Sequence, residues 1–272
     1  MSKTSRKTGF TLVELLVVIA IIGVLVGLLV PVIGAASRRV SEFAINNDVN
    51  ELERALELFN SEFEFYPPDM SEINSAQEFL PFLNKISRNH REGNGGPGTN
   101  LETWWNAIGV NLDNESALVF WLSGISADAS FPLTNGGAPL PAYNVGTAVE
   151  RRVFFAFPKN QLQVNSAGTV ARFVQRRGAS RQPYVYFSAS SYEGSGPISS
   201  HQSTLDGSVV MPYFSTNPNV AAAIEESEGK FQVIAAGVDG KFGSTGDLAN
   251  RSTEDNDNLC SFADGRLEKV LN

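Results

Sequence analysis

The stretch GFTLVELLVVIAIIGVLVGLLVP, residues 9–31, decides how the rest of the chain is organised. Residues 15–36 contain no charged side chain. A membrane-spanning helix needs roughly 20 apolar residues at a rise of about 1.5 Å each, so this run is long enough. Lys3, Arg6 and Lys7 precede it without any acid, which places the N-terminus in the cytoplasm and the remainder outside. The sequence therefore predicts an exported chain with one membrane-spanning segment.

Glu14 stands almost at the edge of this apolar run. A carboxylate in a membrane costs roughly 2.5–3.5 kcal/mol at the centre and less near the interface, so an intramembrane acid indicates function. The alternative is a discarded signal peptide, with residues 34–36, Gly-Ala-Ala, as a small-residue cleavage site. The run is longer than a usual signal-peptide core, and a disposable segment gains nothing from a carboxylate. We therefore favour a retained segment.

Residues 9–14, Gly-Phe-Thr-Leu-Val-Glu, resemble the prepilin processing motif of type IV pilins and type II secretion pseudopilins. The resemblance implies that prepilin peptidase cuts between Gly9 and Phe10 and that Phe10 is then N-methylated. Glu14 becomes the fifth mature residue and Pro31 the twenty-second, as in that family. It also implies that Glu14 pairs with the N-terminal amine of a neighbouring subunit during filament assembly.

The chemistry of the apolar run is compatible with helix assembly. Opposite charges attract far more strongly in a low dielectric than in water, and an unpaired charge there is penalised by desolvation, so Glu14 is suited to fix subunit register. Pro31 removes one backbone hydrogen bond and weakens the helix locally. Gly23 and Gly27 form a small-xxx-small pair, which permits close packing between helices.

Composition limits the functions open to the remainder. The chain has 272 residues and a net charge of −8, enough for a membrane helix and one sizeable head, and this acidity argues against nucleic acid as a partner. Cys260 is the only cysteine, so an intrachain disulfide is impossible. His90 and His201 lie far apart in polar or glycine-rich stretches. We expect both histidines at the surface, without a metal or catalytic role.

An amphipathic helix is predicted to continue beyond the membrane segment. Apolar residues recur at intervals of 4, 3, 4, 3 and 4 at Ile45, Val49, Leu52, Leu56, Phe59 and Phe63. No glycine or proline lies between Ala35 and Tyr66, so one helix is expected from about residue 10 to about residue 63. Tyr66-Pro67-Pro68 should end it, because proline disfavours helix in the residue before it.

The head is predicted to combine this helix with a later sheet. Residues 113–124 read as a short helix with Asp113 or Asn114 as N-cap, and the tryptophans are expected in the core: Trp104, Trp105 and Trp121. Strand patterns cover residues 151–158, 183–189, 230–237 and 258–265. The expectation is an α+β pilin fold, a long helix packed on a C-terminal antiparallel sheet. Its parts are a leader (1–9), a membrane half-helix (10–36) and a head (37–272) with an inserted region at about 71–230.

A glycine-rich acidic loop lies near the C-terminus, in residues 237–258. It contains five acids, against Lys241 and Arg251: Asp239, Asp247, Glu254, Asp255 and Asp257. Crowded carboxylates on a flexible loop suit Ca²⁺, which takes 6–8 oxygen ligands. The loop resembles the calcium loop of the major pseudopilin, though it is longer. That resemblance implies Ca²⁺ as a cofactor, with Asp239, Asp247, Asp255 and Asp257 as candidate ligands, whereas the alternative is a solvated acidic loop.

The predicted function is structural and not enzymatic. The resemblance implies a filament subunit of a type II secretion pseudopilus or a type IV pilus, made as an inner-membrane precursor and then assembled outside. The implied partners are prepilin peptidase, identical or related subunits and an inner-membrane assembly platform. The alternative is a membrane-anchored binding module or enzyme that uses the large head. No Gly-x-Ser-x-Gly, His-Glu-x-x-His or Walker pattern occurs in the sequence to favour an enzyme.

Overall fold

The computed structural model describes residues 11–71, 73–91, 101–135, 138–140, 150–176, 181–189, 200–214, 230–243, 246–263 and 265–267. The chain divides into two compact units at the Ser41–Glu42 boundary. Four helices are described: α1 (Leu12–Phe63), α2 (Ala76–Ile86), α3 (Leu101–Ala107) and α4 (Ala117–Gly124). The strands are short: β1 (Ile125–Ser126), β2 (Thr134–Asn135), β3 (Ala138–Pro139), β4 (Arg151–Arg152), β5 (Leu162–Val164), β6 (Ala171–Phe173), β7 (Val185–Ser188), β8 (His201–Gln202), β9 (Val209–Val210), β10 (Phe231–Ala235) and β11 (Leu259–Cys260).

The long N-terminal helix is confirmed, since α1 spans 52 residues without a break. Pro31 lies inside it and removes the hydrogen bond that would reach the carbonyl of Gly27. A Cβ built at Gly27 would meet nothing within 4 Å. The helix ends after Phe63, where Glu64 takes a left-handed backbone conformation (φ 63°) just ahead of the two prolines.

The sheet of the head is antiparallel, as predicted, with strand order β11-β10-β7. Side chains alternate between its two faces. Tyr186, Val233 and Leu259 share one hydrophobic cluster with the second half of α1, whereas Val185 and Ile234 belong to another. The sheet is therefore buried on both faces, and one of them packs on the helix.

Helices α2, α3 and α4 extend the cluster around α1. The ring of Phe79 stacks with Trp121 at a centroid distance of 5.6 Å and with Trp104 at 5.1 Å. The indole N–H of Trp121 donates to the carbonyl of Pro68 at 2.9 Å. All three tryptophans are at most 5% exposed, which confirms that they fill core.

Three local predictions were wrong in detail. Of the described residues in the strand expected at 258–265, only Leu259–Cys260 pairs with β10. Of the strand expected at residues 151–158, only Arg151–Arg152 pairs, because the backbone N–H groups of Phe154 and Phe155 donate to the carbonyl of Leu122 instead. The N-cap of α4 is Ser116 and not Asp113 or Asn114. Asp113 instead accepts backbone hydrogen bonds in the turn that precedes the helix.

Candidate functional site

The first turn of α1 is closed by a reciprocal pair of side chains. The backbone N–H and the hydroxyl of Thr11 both donate to Oε2 of Glu14 at 2.8 Å. The N–H of Glu14 donates back to the Thr11 hydroxyl at 3.2 Å. This is a capping box, in which Thr11 is the N-cap and Glu14 the third helical residue. The Thr-x-x-Glu spacing is the sequence signature of a capping box, which the prediction from the sequence missed.

The membrane segment presents apolar side chains over its whole surface. The helix is long and apolar enough to cross a membrane, and its most apolar window is wholly exposed within the structure. Side chains such as Leu12, Ile19 and Leu28 are each at least 60% exposed. Such a surface needs lipid or other helices around it. The proposed processing residues Gly9 and Phe10 lie outside the described residues.

A second constellation is a buried ionic network in the head. Arg172 on β6 reaches Asp113 with one nitrogen at 2.8 Å and Glu115 with another at 2.6 Å. Glu115 also accepts from the backbone N–H of Thr204 at 3.1 Å and from its hydroxyl at 2.6 Å. His201 Nε2 lies 3.2 Å from the same carboxylate. The network joins the turn before α4 to β6 and to the β8 segment.

His201 corrects a prediction from the sequence. Both histidines were expected at the surface, yet His201 is 9% exposed and His90 is 6% exposed. His90 is buried beside the side-chain oxygen of Asn84, at 2.9 Å. His201 pairs with an acid 86 positions earlier, a contact between remote segments that a single sequence does not reveal.

The network determines the charge of Glu115. Burial alone acts to raise the pKa of Glu115, but His201, Thr204 and Arg172 outweigh it and lower the pKa to about 2. The carboxylate is therefore ionised in the folded chain at neutral pH. A folded-state pKa below the ordinary value means that Glu115 stabilises the head once it is ionised.

Acid should therefore weaken the head through Glu115. The contribution is present above about pH 4.5, the ordinary pKa, and is lost as pH falls towards 2. A shift of this size corresponds to about 3 kcal/mol. Urea unfolding at pH 5 and pH 3 should show a smaller drop in Glu115→Gln than in the parent chain. An equal drop in both chains would contradict this assignment.

The same residues are placed so that they could hold a metal ion. Asp113, Glu115 and His201 offer two oxygens and one nitrogen within 4.8 Å of one another. This mixed set suits a borderline metal such as Zn²⁺ better than Ca²⁺, which prefers oxygen alone. Arg172 already supplies a cation to both carboxylates, so the geometry is complete as an ion-pair network.

The acidic loop places its carboxylates in separate hydrogen-bonded turns. Asp255 is buried and accepts from the hydroxyl of Tyr213 at 2.8 Å and from the N–H of Ser252 at 2.7 Å. The side chain of Asp247 accepts from Asn250 at 2.6 Å. Within the described part of the chain, the loop acids form no three-residue group with ligand atoms inside 4.8 Å.

Asp257 and Asp239 are the loop acids that influence each other. One Asp257 oxygen accepts from the backbone N–H groups of Val238 at 3.0 Å and Asp239 at 3.1 Å. Burial raises the pKa of Asp257, and the negative charge of Asp239 adds to the rise. A Cβ at Gly237 would overlap Asp257, so glycine is required for this close approach. The carboxylates of Asp239 and Asp257 therefore supply part of a ligand set for a cation, but not a complete one.

The comparisons with known proteins concern the N-terminal part. Residues 4–30 match the family model of the prokaryotic N-terminal methylation motif. The chain is 33% identical over 92 residues to the type II secretion system core protein G of Escherichia coli, which is 34% of this chain and 63% of that protein. It is 30% identical over 93 residues to the core protein G of Vibrio cholerae, 34% of this chain and 62% of that protein. No solved structure gives a significant match.

These matches cover part of each protein. The chain spans under two thirds of the length of the curated relatives that it matches. The apolar helix and the methylation motif together indicate a membrane-anchored precursor. The N-terminal part of this chain therefore carries the prokaryotic N-terminal methylation motif and is similar to the core protein G of type II secretion systems.

Proposed function

We propose that the chain is a structural filament subunit of the pseudopilin type. It is made as an inner-membrane precursor with its N-terminus in the cytoplasm, is cut after Gly9 and is N-methylated at Phe10. Mature subunits then assemble with related subunits on an inner-membrane platform. The match of residues 4–30 to the methylation motif carries this proposal, because it lies at the start of a 52-residue helix that is apolar and exposed in its first half and amphipathic in its second.

The two halves of α1 have different surroundings, and this difference supports the proposed role. Its first half exposes apolar side chains that require a membrane or neighbouring helices, while Ile45, Leu52 and Phe59 in its second half are at most 1% exposed in the head. Such a helix can leave lipid for the core of a filament because both environments accept the same apolar surface. Glu14 is the charged residue in the apolar first half of α1, and it sets the register between neighbouring subunits.

Replacing Glu14 should separate insertion from assembly. Glu14→Gln keeps a side chain that can complete the capping box, yet it removes the charge that would pair with a neighbour's amine. We expect normal insertion and cleavage, with filament yield at least about tenfold lower, since tenfold corresponds to only 1.4 kcal/mol. Sheared filament fractions probed by immunoblot measure the yield.

Thr11→Ala is the matched control for Glu14. It removes the side-chain cap, which costs about 0.5–2 kcal/mol of helix stability, while it keeps the carboxylate. Filaments should persist in this variant. If Glu14→Gln assembles like the parent chain and Thr11→Ala does not, the glutamate acts only as a helix cap.

We further propose that the acidic loop binds Ca²⁺, with Asp257 and Asp239 as the main ligands. Their mutual repulsion and the burial of Asp257 would be relieved by a cation. Asp247 is half-buried and accepts a hydrogen bond from Asn250, and both oxygens of Asp255 already accept hydrogen bonds from Tyr213 and Ser252, so these two acids are secondary candidates. A calcium clip would restrain a loop that no disulfide can restrain.

Calcium should raise the melting temperature of the full chain in detergent. Binding to the folded state alone stabilises by about 2.7 kcal/mol at a hundredfold excess over Kd, which is a shift of a few degrees here. Mg²⁺ should act less because it dehydrates reluctantly. Asp257→Asn should remove most of the shift, and the control Glu254→Gln should retain it. A melting curve unmoved by millimolar Ca²⁺ would show a merely solvated loop.

A further inference from the structure

The acidic loop, residues 237–258, packs into the head instead of lying on its surface. Asp255 is 1% exposed and Asn258 is fully buried. Phe242 and Leu248 of the same loop belong to the second hydrophobic cluster of the head. A buried loop needs a restraint, and a disulfide cannot supply it because the chain has one cysteine. The restraint must therefore come from other parts of the head.

A short segment of the inserted region pairs with the middle of this loop. We call residues 211–214, Met-Pro-Tyr-Phe, the strap. The N–H of Phe214 donates to the carbonyl of Gly246 at 2.8 Å, and the N–H of Leu248 donates to the carbonyl of Phe214 at 3.0 Å. A Cβ built at Gly246 would lie 2.5 Å from the carbonyl oxygen of Pro212, so glycine permits the two backbones to approach this closely.

The side chain of Tyr213 connects the strap to the end of the loop. Its hydroxyl donates to Oδ1 of Asp255 at 2.8 Å and accepts from the side-chain amide of Asn258 at 2.8 Å. Tyr213 is buried, so these hydrogen bonds lie away from water. Removal of the hydroxyl would leave a buried carboxylate oxygen and a buried amide without this partner, which is costly.

The strap is itself held by β10, the strand that lies between β7 and β11. The side-chain amide of Gln232 on β10 donates to the carbonyl of Tyr213 at 2.8 Å. The side-chain oxygen of Gln232 accepts from the N–H of Tyr213 at 2.7 Å. Gln232 thus pairs with Tyr213 as the backbone of a neighbouring strand would. The strap therefore connects the loop to the centre of the sheet.

The start of the loop is held by a second buried residue of the inserted region. Gln182 is 1% exposed, and its amide donates to the carbonyl of Gly240 at 3.1 Å. The same amide donates to Oδ2 of Asp206, in the connection between β8 and β9, at 2.7 Å. The inserted region therefore contacts the acidic loop at its start, middle and end.

We propose that the strap and Gln182 hold the acidic loop in its folded form without a metal ion. The inserted region then does for this loop what a disulfide or a bound cation does in other proteins. Several hydrogen bonds act on one short segment, and each is stronger in the interior of the head than it would be in water. This goes beyond the proposed function, since the proposed Ca²⁺ would bind a loop that is already formed.

The alternative is a loop that forms only when a cation binds. Burial raises the pKa of Asp257 and the negative charge of Asp239 adds to the rise, so a cation between them would be favourable. The contacts of the strap and of Gln182 involve neither of these two acids. They can therefore form while the repulsion between Asp239 and Asp257 persists.

Hydrogen exchange of the full chain, in detergent with excess chelator, separates these two cases. The N–H groups of Leu248 and Ser252 are hydrogen-bonded in the formed loop. Without metal they should exchange at least about a hundredfold more slowly than in an unstructured peptide. Exchange at the unstructured rate in chelator, with protection only after Ca²⁺ is added, would show that the cation forms the loop. The chelator arm does not depend on calcium binding, so its result stands apart from that of the melting curves.

Two variants remove the holding groups and keep the side-chain volume. Tyr213→Phe should speed exchange at residues 246–258 in chelator by about tenfold, the effect of losing one hydrogen bond to a charged group. Gln182→Met should speed exchange at residues 238–241, where the carbonyl of Gly240 loses its donor. Exchange of the β10 amides, measured in the same samples, reports whether the whole head is destabilised.

Tyr184→Phe and Gln161→Met are the matched controls. The hydroxyl of Tyr184 and the amide of Gln161 both donate to Asp48, at 2.8 and 3.1 Å, and both side chains are buried. The same chemical changes are thus made in the same head but away from the loop, and they should leave exchange of the loop unchanged. Equal acceleration by the controls, or no acceleration by Tyr213→Phe and Gln182→Met, would overturn the proposal.

Discussion

Gly9→Val should leave the entire population of the chain uncut in the inner membrane. A branched side chain at this position would crowd the approach of the peptidase to the backbone, so cleavage should fail rather than slow slightly. The uncut chain keeps nine additional residues, three of them basic. Immunoblots of membranes with and without prepilin peptidase should show one larger species in both cases.

Gly34→Val is the matched control for Gly9→Val. Gly34 lies at the cleavage site that a discarded signal peptide would use, and a Cβ there meets nothing within 4 Å. This variant should be processed to the normal size. The reverse pattern, with Gly34→Val uncut and Gly9→Val processed, would show that the apolar segment is a signal peptide.

Glu115→Ala should destabilise the head by about 3–5 kcal/mol, the usual cost of breaking a buried ion pair from one side. The variant leaves Arg172 with Asp113 as its remaining partner in the network and leaves the Thr204 N–H and hydroxyl without this acceptor. Glu115 is fully buried, so water cannot readily replace the carboxylate. Urea unfolding of the full chain in detergent, followed by tryptophan fluorescence, measures the loss.

Two further variants test the reason for this loss. Glu254→Ala removes a half-buried acid outside this network and should shift the unfolding midpoint far less than Glu115→Ala does. Glu115→Leu combined with Arg172→Met removes both charges and should cost less than the sum of the single changes, because neither partner of the Glu115–Arg172 pair is then left buried without the other. Strict additivity would contradict the ionic network.

The elements with strong local patterns were predictable from the sequence. The spacing of Ile45, Leu52 and Phe59 identified the buried face of α1, and the apolar run before them identified the membrane segment. The central strands β7 and β10 fall within predicted runs for a similar reason: their β-branched and aromatic side chains pack on both faces of a sheet. The strand expected after Arg152 failed because aromatic runs also suit irregular backbone in a core, where Phe155 stacks edge-on with Phe157.

The features that depend on remote pairs were not predictable. Glu115 lies 57 positions before Arg172 and 86 before His201, and nothing in the local sequence of His201 indicates burial. The acidic loop shows the same limit. Its composition suggested a cation, but composition could not reveal that Asp255 is engaged by Tyr213, 42 positions earlier. The capping role of Glu14 was locally encoded by Thr11 and could have been recognised.

The central claim, that this chain is a processed filament subunit, is tested most directly by the mass of its mature N-terminal peptide. The full chain is purified from cells that contain prepilin peptidase, digested and analysed by mass spectrometry. The account predicts a peptide that begins at Phe10 and carries one added methyl group on its amine. A chain that retains residues 1–9, or one that begins after Ala36, would contradict it.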